Sequence, residues 1–419
     1  MKEKIFAWLD GASETAVELE TELTKRPAIS PDSGGEGELD KCLFLEEWLR
    51  CRGITNLERY DSPDKRAKGG VRPNLIATVD CGSGGRKNGC LWILSHMDVV
   101  PPGEIKLWNS DPYTCVRADD SPGPRLIGRG VEDNQQGIVS SALTALAFSS
   151  LGIKPARAIK LLFASDEEVG SVYGIEWLVK NHRELFSKND MVLVPDGGDT
   201  NGECIEIAEK NIMWARFVTR GRQAHASMPE LGTNAFIVGS DLALRLHNEL
   251  PRKFDKRDPL FEPCCSTFQP TKKEANVPNI NTIPGEDVFY VDMRVLPVYP
   301  PSEVLAEIDR IKTEIGEKYH VTVEYSLPQL MESKPTSASS PVVRLLSGAV
   351  SEVYKVKPRL IGIGGGTMAA SLRNIGIDCA VWTKTCETLH QPNEYALIEN
   401  IIGDAKVFSL VAMSEDSGL

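Results

Sequence analysis

The sequence lacks the defining features of several protein classes. No apolar run approaches the roughly 20 residues that a transmembrane helix needs, so a membrane-spanning protein is not expected. The ten cysteines form no C-x-x-C pair and no regular framework, which predicts reduced structural thiols. No long basic run offsets the net charge of -12. This balance argues against nucleic acid and anionic membrane as partners.

Two further stretches are interpreted from composition. The N-terminus, "MKEKIFAWLDGASETAVELE", turns acidic too early for a signal peptide, so we expect a cytoplasmic protein. The same stretch predicts one amphipathic first helix. The basic cluster "DKRAKGGVR" (residues 64–72) is short and rich in glycine, and we interpret it as a solvated loop.

The order of apolar segments predicts an α/β fold. At 419 residues the chain is long enough for two domains. Strand-like segments such as "GCLWILSHMDVV", "AIKLLFASDEE" and "DMVLVPDGG" alternate with helical ones such as "NQQGIVSSALTALAFSSLG". This alternation is typical of a mostly parallel sheet covered by helices.

The pattern of predicted strands and helices changes near Ile212. The segments there follow the order β-α-β-β-α-β, which predicts a smaller ferredoxin-like α+β domain. The α/β texture returns after the polar stretch "MESKPTSASS". We therefore expect a catalytic domain made of residues 1–211 and 330–419, interrupted by an inserted domain of residues 212–329.

Polar side chains follow the ends of the predicted parallel strands. These ends lie at one edge of a sheet, where ligand sites form, so side chains distant in sequence should converge there. The candidates at that edge are His96, Asp98, Asp133, Glu167, Glu168, Asp196 and His390. Any one of them alone would be an ordinary polar residue at a strand end.

These residue types indicate a metal centre. Imidazole and carboxylate groups are the ligands of zinc, or less often of cobalt or manganese, and a closely spaced metal pair is a device for hydrolysis. His96 and Asp98 are two apart on a strand and face the same side, so Asp98 can accept the second ring N–H of His96. Glu167 and Glu168 diverge if extended, which leaves one for metal and the other as a general base.

Five ordered motifs carry a family resemblance. "SHMDVVPPG", "GRGVEDNQQG", "ASDEEVGS", "VPDGG" and "TLHQPNE" resemble the signatures of the co-catalytic zinc peptidases. That family includes aminoacylase, carboxypeptidase G, carnosinase, bacterial dipeptidases, acetylornithine deacetylase and succinyl-diaminopimelate desuccinylase. The resemblance covers nearly the whole chain and implies a zinc exopeptidase-like fold with an inserted lid domain.

The resemblance implies a role for each candidate. His96 and Asp196 would bind the first of two divalent ions, and Asp98 would orient His96. Glu168 and His390 would bind the second ion. Asp133 would bridge both ions, and Glu167 would be the general base. The ions would be zinc, with cobalt or manganese as alternatives.

The lid domain carries the implied substrate contacts. "RGRQAHASMPE" matches the segment whose histidine, here His225, stabilises the oxyanion, often from the partner subunit. Asn279 or Asn281 would contact substrate, unless they are turn formers. Arg294 would bind a substrate carboxylate, unless it pairs with Asp292. Gly365 and Thr367, in the glycine loop "GIGGGTMAA", are weaker candidates. The resemblance also implies a homodimer through the lid.

The expected reaction is hydrolysis of a peptide or peptide-like amide bond near a free carboxylate. The aspartate at position 196 resembles the dipeptidase and carboxypeptidase members, and an N-acyl amino-acid deacylase is the alternative. A non-catalytic metal-binding member and a two-metal phosphoesterase are further readings. Many members carry a Lys-Gly pair after the bridging aspartate, where this chain has Asn134, Gln135 and Gln136. The roles of these residues and of Asp166 stay open.

Overall fold

The computed structural model describes residues 1–82 and 89–415. Its helices are α1 (Lys2–Asp10), α2 (Ser13–Thr24), α3 (Leu39–Cys51), α4 (Gln136–Leu151), α5 (Ile175–Asn181), α6 (Ala235–Lys253), α7 (Pro301–Tyr319), α8 (Pro341–Tyr354), α9 (Ala369–Asn374) and α10 (Ile398–Met413). Its first eight strands are β1 (Leu57–Pro63), β2 (Val71–Val79), β3 (Cys90–His96), β4 (Val116–Ala118), β5 (Arg125–Ile127), β6 (Ala158–Ala164), β7 (Met191–Asp199) and β8 (Cys204–Glu209). The remaining strands are β9 (Asn211–Arg220), β10 (Ala224–His225), β11 (Thr267–Lys273), β12 (Thr282–Ile283), β13 (Glu286–Val295), β14 (Thr322–Met331), β15 (Arg359–Ile363), β16 (Asp378–Lys384) and β17 (Tyr395–Leu397).

The chain divides into two compact units. The first unit comprises Met1–Ile207, Thr336–Ile361 and Thr367–Leu419, and the second comprises Ala208–Pro335 with Gly362–Gly366. The inserted domain expected at residues 212–329 falls within the second unit. The glycine loop at 362–366 joins that unit from a distant part of the chain, which the sequence did not indicate.

The first unit is built on an eight-stranded sheet in the order β1-β2-β6-β3-β7-β16-β8-β15. The four central strands β6, β3, β7 and β16 run parallel, as predicted. Their apolar runs are buried, and Trp92, Leu94, Leu162, Val194 and Val381 share one core cluster. This is the pattern of parallel strands covered on both faces. The carboxyl ends of the four strands consequently point to one edge of the sheet.

Helix α4 packs in the interior of the first unit. All of its residues from Gln136 to Phe148 are buried. A helix that is apolar on all sides belongs in a core. It ends at Gly152, whose φ of 62° gives the left-handed cap that glycine adopts without strain.

The second unit has the predicted order of elements. Strands β9, β11, β13 and β14 form an antiparallel sheet in the order β11-β13-β9-β14, with α6 and α7 in the connections. The apolar faces of both helices pack on one face of this sheet, as Leu242 and Ile311 do against Phe217 and Met293. The role of this unit as a lid stays a prediction.

Two local expectations were wrong. The predicted single first helix is two helices, α1 and α2, which are separated at Gly11 and Ala12. The "DKRAKGGVR" stretch is not all solvated loop, because Arg72 lies in β2 with its side chain fully buried.

Within the described ranges, no helix has the length and apolar character that crossing a membrane requires. The ten cysteines, all within those ranges, are free thiols.

Candidate metal centre

Five predicted side chains converge at the carboxyl edge of the first unit's sheet. One group contains His96, Asp133 and Asp196, and the other contains Asp133, Glu168 and His390. The ligand atoms of each group lie within 4.8 Å of one another. His96 ends β3, Asp196 lies in β7, and Glu168 follows β6. Parallel strands therefore deliver three of the five side chains to this edge.

Asp133 belongs to both groups and presents one oxygen to each. Its Oδ1 lies 3.0 Å from Nε2 of His96, and its Oδ2 lies 3.1 Å from Nε2 of His390. Asp196 Oδ1 is 3.4 Å from His96 Nε2, and Glu168 Oε2 is 3.2 Å from His390 Nε2. Ligand atoms of a tetrahedral zinc ion, each about 2.0–2.2 Å from the metal, lie about 3.3–3.6 Å apart. The spacing of these donors is close to that value.

The donor set fits a pair of divalent cations. It consists of two imidazole nitrogens and three carboxylates, which suit zinc, cobalt or manganese. Among the residues that the structure describes, no hydrogen-bond donor reaches the buried Oε1 of Glu168. An unpartnered buried carboxylate oxygen is costly, and a cation would satisfy it.

The charged groups of the centre shift one another's pKa values. Burial alone would lower the pKa of His96, but the nearby carboxylates of Asp196 and Asp133 raise it well above its usual value. Hydrogen bonds to Asp133 and Glu168 raise the pKa of His390 to about 10. Burial opposes ionisation of Asp133, but His390 and His96 outweigh it and hold its pKa below the usual range. A surplus of carboxylates therefore surrounds both imidazoles.

Glu167 stands beside these groups in a tight turn after β6. Burial, followed by the charge of Asp196, raises the pKa of Glu167 well above its ordinary value. Burial also raises the pKa values of Glu168 and Asp196. A carboxylate with a raised pKa is a stronger base, which general base catalysis near neutral pH requires.

Asp98 supports the centre differently from the prediction. Nδ1 of His96 lies 3.0 Å from the main-chain oxygen of Asp98, whereas the Asp98 carboxylate is 3.5 Å away. That carboxylate instead accepts the backbone N–H groups of Glu167, at 3.1 Å, and Glu168, at 3.0 Å. The chain turns after β3. The carbonyl of Asp98 therefore faces the His96 ring, and the Asp98 carboxylate faces the loop that follows β6. Asp98 thus contacts the His96 ring through its carbonyl and holds the Glu167–Glu168 turn through its carboxylate.

Asp166 completes the same turn. It adopts a φ of 70°, and its Oδ2 accepts the N–H of Tyr173 at 3.0 Å. Its Oδ1 lies 3.0 Å from the buried guanidinium of Arg72, which also pairs with Glu38. The acidic run after β6 is therefore split: Asp166 faces a buried arginine, while Glu168 faces the candidate metal centre.

Asn134 is the first of the three residues that stand where many family members carry a Lys-Gly pair. Its amide nitrogen donates to the carbonyl of Pro195 at 2.5 Å and to Oδ1 of Asp196 at 3.0 Å. Its amide oxygen accepts the N–H of His96 at 3.3 Å. Asn134 thus ties the ends of β3 and β7 together. Sequence reasoning missed this role and that of Arg72, because hydrogen bonds between distant loops leave no local pattern.

Three further predicted residues lie near one another in the second unit. His225 is exposed at the end of β10, which pairs with β12 at Thr282. Its Nδ1 lies 2.8 Å from Oγ of Ser227. The carbonyl of Asn281 accepts the N–H of Ala226, and the Asn281 side chain accepts a hydrogen bond from Asn279 at 2.5 Å. The structure therefore groups His225, Asn279 and Asn281 locally.

The other candidates have local partners. Arg294 forms two hydrogen bonds to Asp292, at 2.9 and 3.0 Å, and one to the carbonyl of Gly364 at 2.7 Å. This is the pairing that the sequence left open as an alternative to substrate binding. Gly365 lies in the glycine loop. Thr367 is buried, and its Oγ1 accepts the N–H of Ala369 at the start of α9.

Comparison with known families places the chain beside metallohydrolases. Residues 92–414 match the sequence profile of peptidase family M20/M25/M40. An uncharacterized metallohydrolase of Methanococcus maripaludis is 40% identical over 410 residues, which cover 94% of this chain and 97% of that protein. A succinyl-diaminopimelate desuccinylase of Pelagibacter ubique is 24% identical over 402 residues, with 94% and 97% of the two chains covered.

Solved structures share the fold. The aminopeptidase PepT from Bacillus cereus superposes with a TM-score of 0.75 at 18% identity, covering 96% of this chain and 98% of its own. A dinuclear metal binding peptidase from Bacillus subtilis has a TM-score of 0.68 at 14% identity, with 96% and 98% covered. At these identities the likeness concerns the fold.

Proposed function

The chain belongs to peptidase family M20/M25/M40 and is a metallohydrolase acting on amide bonds, from which we propose that it hydrolyses a small peptide near a free carboxylate. The observation that carries this proposal is Asp133, whose two oxygens each face one histidine at hydrogen-bond distance. Glu167 follows strand β6, the neighbour of β3 in the sheet, and would act on a water at that centre. A shared carboxylate with a neighbouring free base is the arrangement that two-metal hydrolysis uses.

The proposed ligands follow the two groups. His96, Asp133 and Asp196 would hold one cation, and Asp133, Glu168 and His390 the other. When bound, such a pair supplies Lewis-acid activation of a water and of the scissile carbonyl. Zinc is the cation we propose, and cobalt and manganese would suit the same nitrogen and oxygen donors.

Glu167 would carry the proton. Its carboxylate would take a proton from the attacking water and return it to the nitrogen of the leaving amine, so that the C–N bond breaks and a carboxylate forms. Asp98 holds the backbone of this residue through the Glu167 N–H. The position of the base therefore depends on the loop that also fixes His96.

The second unit would supply substrate contacts. His225 would stabilise the oxyanion of the tetrahedral intermediate when the unit closes as a lid. Asn279, Asn281, Gly365 and Thr367 would contact the substrate. Arg294 would bind the substrate carboxylate. To do so, its guanidinium must either give up a hydrogen bond to Asp292 or bind the substrate while it stays paired with Asp292.

An N-acyl amino-acid deacylase is the second candidate. The alignment with a desuccinylase covers 94% of this chain at 24% identity, which favours a substrate with an acyl group on an amino acid. Against that, the position of Asp196 carries aspartate, which resembles the dipeptidase and carboxypeptidase members. Both reactions break an amide bond near a carboxylate, so the same centre would serve either one.

One panel of substrates tests the order of these two candidates. Purified protein loaded with zinc, cobalt or manganese is assayed for amine release on dipeptides and on N-acetyl and N-succinyl amino acids. We expect hydrolysis of at least one dipeptide with a free C-terminal carboxylate. Hydrolysis of N-acyl amino acids with no dipeptide turnover would reverse the order. Absence of amide hydrolysis throughout would favour a non-catalytic metal-binding member.

A phosphoesterase is the remaining hypothesis, and the ion pairs of two arginines argue against it. A phosphate-binding site needs free cationic groups, and the motifs that carry the centre contain few besides Arg129 and Arg294. In the structure Glu394 pairs with Arg129 at 2.6 Å, and Asp292 pairs with Arg294. Turnover of a nitrophenyl phosphate without amide hydrolysis would contradict this argument.

We also propose that two copies associate through the second unit. Strand β11 stands at the edge of the sheet, and α6 beside it exposes Ile237 and Leu244 by 50% and 60%. An open groove of about 680 Å³ runs between these two elements. Edge strands and apolar patches are sites of chain association.

Replacing Leu244 by glutamate is expected to convert the dimer into a monomer, because it puts a charge into that apolar surface. Sedimentation or light scattering measures the mass. Leu330→Glu is the matched control, since Leu330 is 49% exposed on β14, at the opposite edge of the sheet, and should leave the dimer intact. A monomeric parent protein at micromolar concentration would rule the interface out.

A further inference from the structure

The two histidines of the metal centre are held in different ways. His96 is 1% exposed at the end of a central strand, where packing fixes its ring. The side chain of His390 is 55% exposed, and its backbone has a φ of 62° in the loop between β16 and β17. Packing therefore contributes little to the position of His390. Its placement depends on whatever holds the backbone of its loop.

A carboxylate from the His390 loop holds the Asp133 loop. Glu394 is fully buried and accepts three backbone N–H groups: Oε1 accepts those of Glu132 and Asp133, at 2.9 and 3.0 Å, and Oε2 accepts that of Gly130 at 3.0 Å. Arg129 donates a fourth hydrogen bond to Oε2 at 2.6 Å. The backbone of the shared ligand Asp133 and of the residues just before it is thus held from the other loop.

A second carboxylate makes the reverse connection. Glu132, next to Asp133, accepts the N–H of Cys386 on Oε1. Its Oε2 accepts the N–H of Thr388 at 2.7 Å and the Thr388 hydroxyl at 2.5 Å. Arg129 also donates to the main-chain carbonyl of His390 at 3.3 Å. We call the reciprocal pair Glu132 and Glu394 the carboxylate clasp.

The clasp joins the two loops that carry Asp133 and His390. Both loops also adjoin paired strands, since Tyr395 of β17 lies opposite Ile127 of β5. Each clasp carboxylate is used by donors of the other loop, so neither residue belongs to the ligand groups themselves. Contacts of this kind, outside the ligand set, orient metal ligands.

We propose that the carboxylate clasp sets the distance between His390 and Asp133 and thereby the affinity for the second cation more than that for the first. Glu132 and Glu394 are positioning residues in this proposal. The first cation does not depend on them in the same way, because strands β3 and β7 deliver His96 and Asp196 directly. The proposal rests on the proposed function, since it presupposes that both groups bind a cation.

Glu132→Gln tests the clasp with metal binding as the readout. The amide presents an NH₂ group to the N–H of Cys386 or Thr388, so one contact is lost and the loop is released. Titration of the metal-free, full-length protein with zinc should show two binding steps in the parent. In the variant we expect the second step to weaken by roughly 10- to 100-fold, the usual effect of removing such a contact, while the first weakens less.

Three comparisons sharpen the result. His390→Ala identifies which binding step belongs to the second cation, and Glu132→Gln should weaken that same step. Saturating zinc should restore kcat in Glu132→Gln, which a general folding defect would not allow. Glu387→Gln is the matched control, because it makes the same change on an exposed glutamate of the same loop and should bind as the parent does.

The outcomes separate the two proposals. Equal weakening of both steps, or two unchanged steps in Glu132→Gln, would overturn the clasp alone. A parent protein that binds fewer than two cations would overturn the proposed function on which the clasp rests. If Glu132→Gln does not fold, Thr388→Val removes the hydroxyl that donates to Glu132 and that also accepts the N–H of Tyr395, while the Thr388 N–H still reaches Glu132. A smaller loss at the second step is then the expected result, and two unchanged steps would overturn the clasp.

Discussion

Replacing Glu167 by glutamine is expected to reduce kcat by about 10²- to 10⁴-fold while both cations still bind. Glutamine keeps the shape of the side chain but cannot accept the proton of the attacking water. Its backbone N–H still reaches Asp98, so the turn that also carries Glu168 should keep its position. Hydrolysis of the substrate identified in the amide panel measures kcat, and metal analysis counts the bound cations.

The control for this variant is Glu176→Gln. Glu176 lies nine residues further along on α5 and is exposed, so the same change in charge should leave kcat unaltered. A Glu167→Gln enzyme that keeps more than a tenth of the parent kcat would remove Glu167 from the role of base. Loss of a cation in that variant would instead make Glu167 a ligand.

The convergence of the site could be anticipated from the sequence because parallel strands impose it. Each of β3, β6 and β7 is a buried apolar run followed by an acidic residue or a histidine, and the carboxyl ends of parallel strands share one edge. The apolar runs identified the strands, and their order along the chain implied the edge. His390 was a candidate by the same strand-end argument, although the structure places it further from its strand, in the loop between β16 and β17.

The parts that were missed depend on contacts between segments far apart in the chain. Whether the Asp98 carboxylate faces His96 or the Glu167 turn depends on how the chain leaves β3, and side-chain spacing does not determine this. The lysine and glycine residues around Arg72 predict a solvated loop, yet Arg72 is buried and pairs with Glu38 and Asp166. Short strands such as β4 and β5, with three residues each, are too brief to show alternation.

The clasp shows why motif matching alone does not describe a site. Glu132 and Glu394 both fall inside motifs that indicated metal ligands, and neither residue had a predicted role. Their function is visible only once Asp133 and the loop after β16 are placed side by side. In both cases a carboxylate near the centre binds backbone N–H groups of the other loop, which a sequence cannot distinguish from a metal ligand.

Removing the divalent cations with a chelator is expected to lower the Tm, and to lower it more at pH 7.5 than at pH 5.5. A ligand present at about 100 times its Kd stabilises the folded state by about 2.7 kcal/mol for each site. With an unfolding entropy of about 2.1 cal/mol/K per residue, this corresponds for 419 residues to a fall in Tm of about 3 °C for each site and about 6 °C for both. Calorimetry of the loaded and the chelated protein at both pH values measures the difference.

The sign of the pH effect follows from the direction of the pKa shifts. In the metal-free protein burial raises the pKa of Glu394 to about 7 from 4.5, and raises those of Glu167, Glu168 and Asp196 as well. A group whose pKa is raised by folding stabilises the fold below its unfolded value and loses that contribution as pH rises through the folded value. His390, raised from 6.5 to about 10, acts in the same direction above pH 6.5.

Metal binding has the opposite dependence on pH. Cations bind the deprotonated carboxylates and neutral imidazoles, so binding releases protons and strengthens as pH rises. The metal-free protein should therefore lose stability between pH 5.5 and 7.5, over which the loaded protein gains stabilisation from its cations. Asp133, whose pKa is lowered, stays ionised over this whole window and does not change the sign. Equal differences in Tm at the two pH values would contradict a cation-filled acidic centre, and re-addition of zinc should restore the loaded Tm.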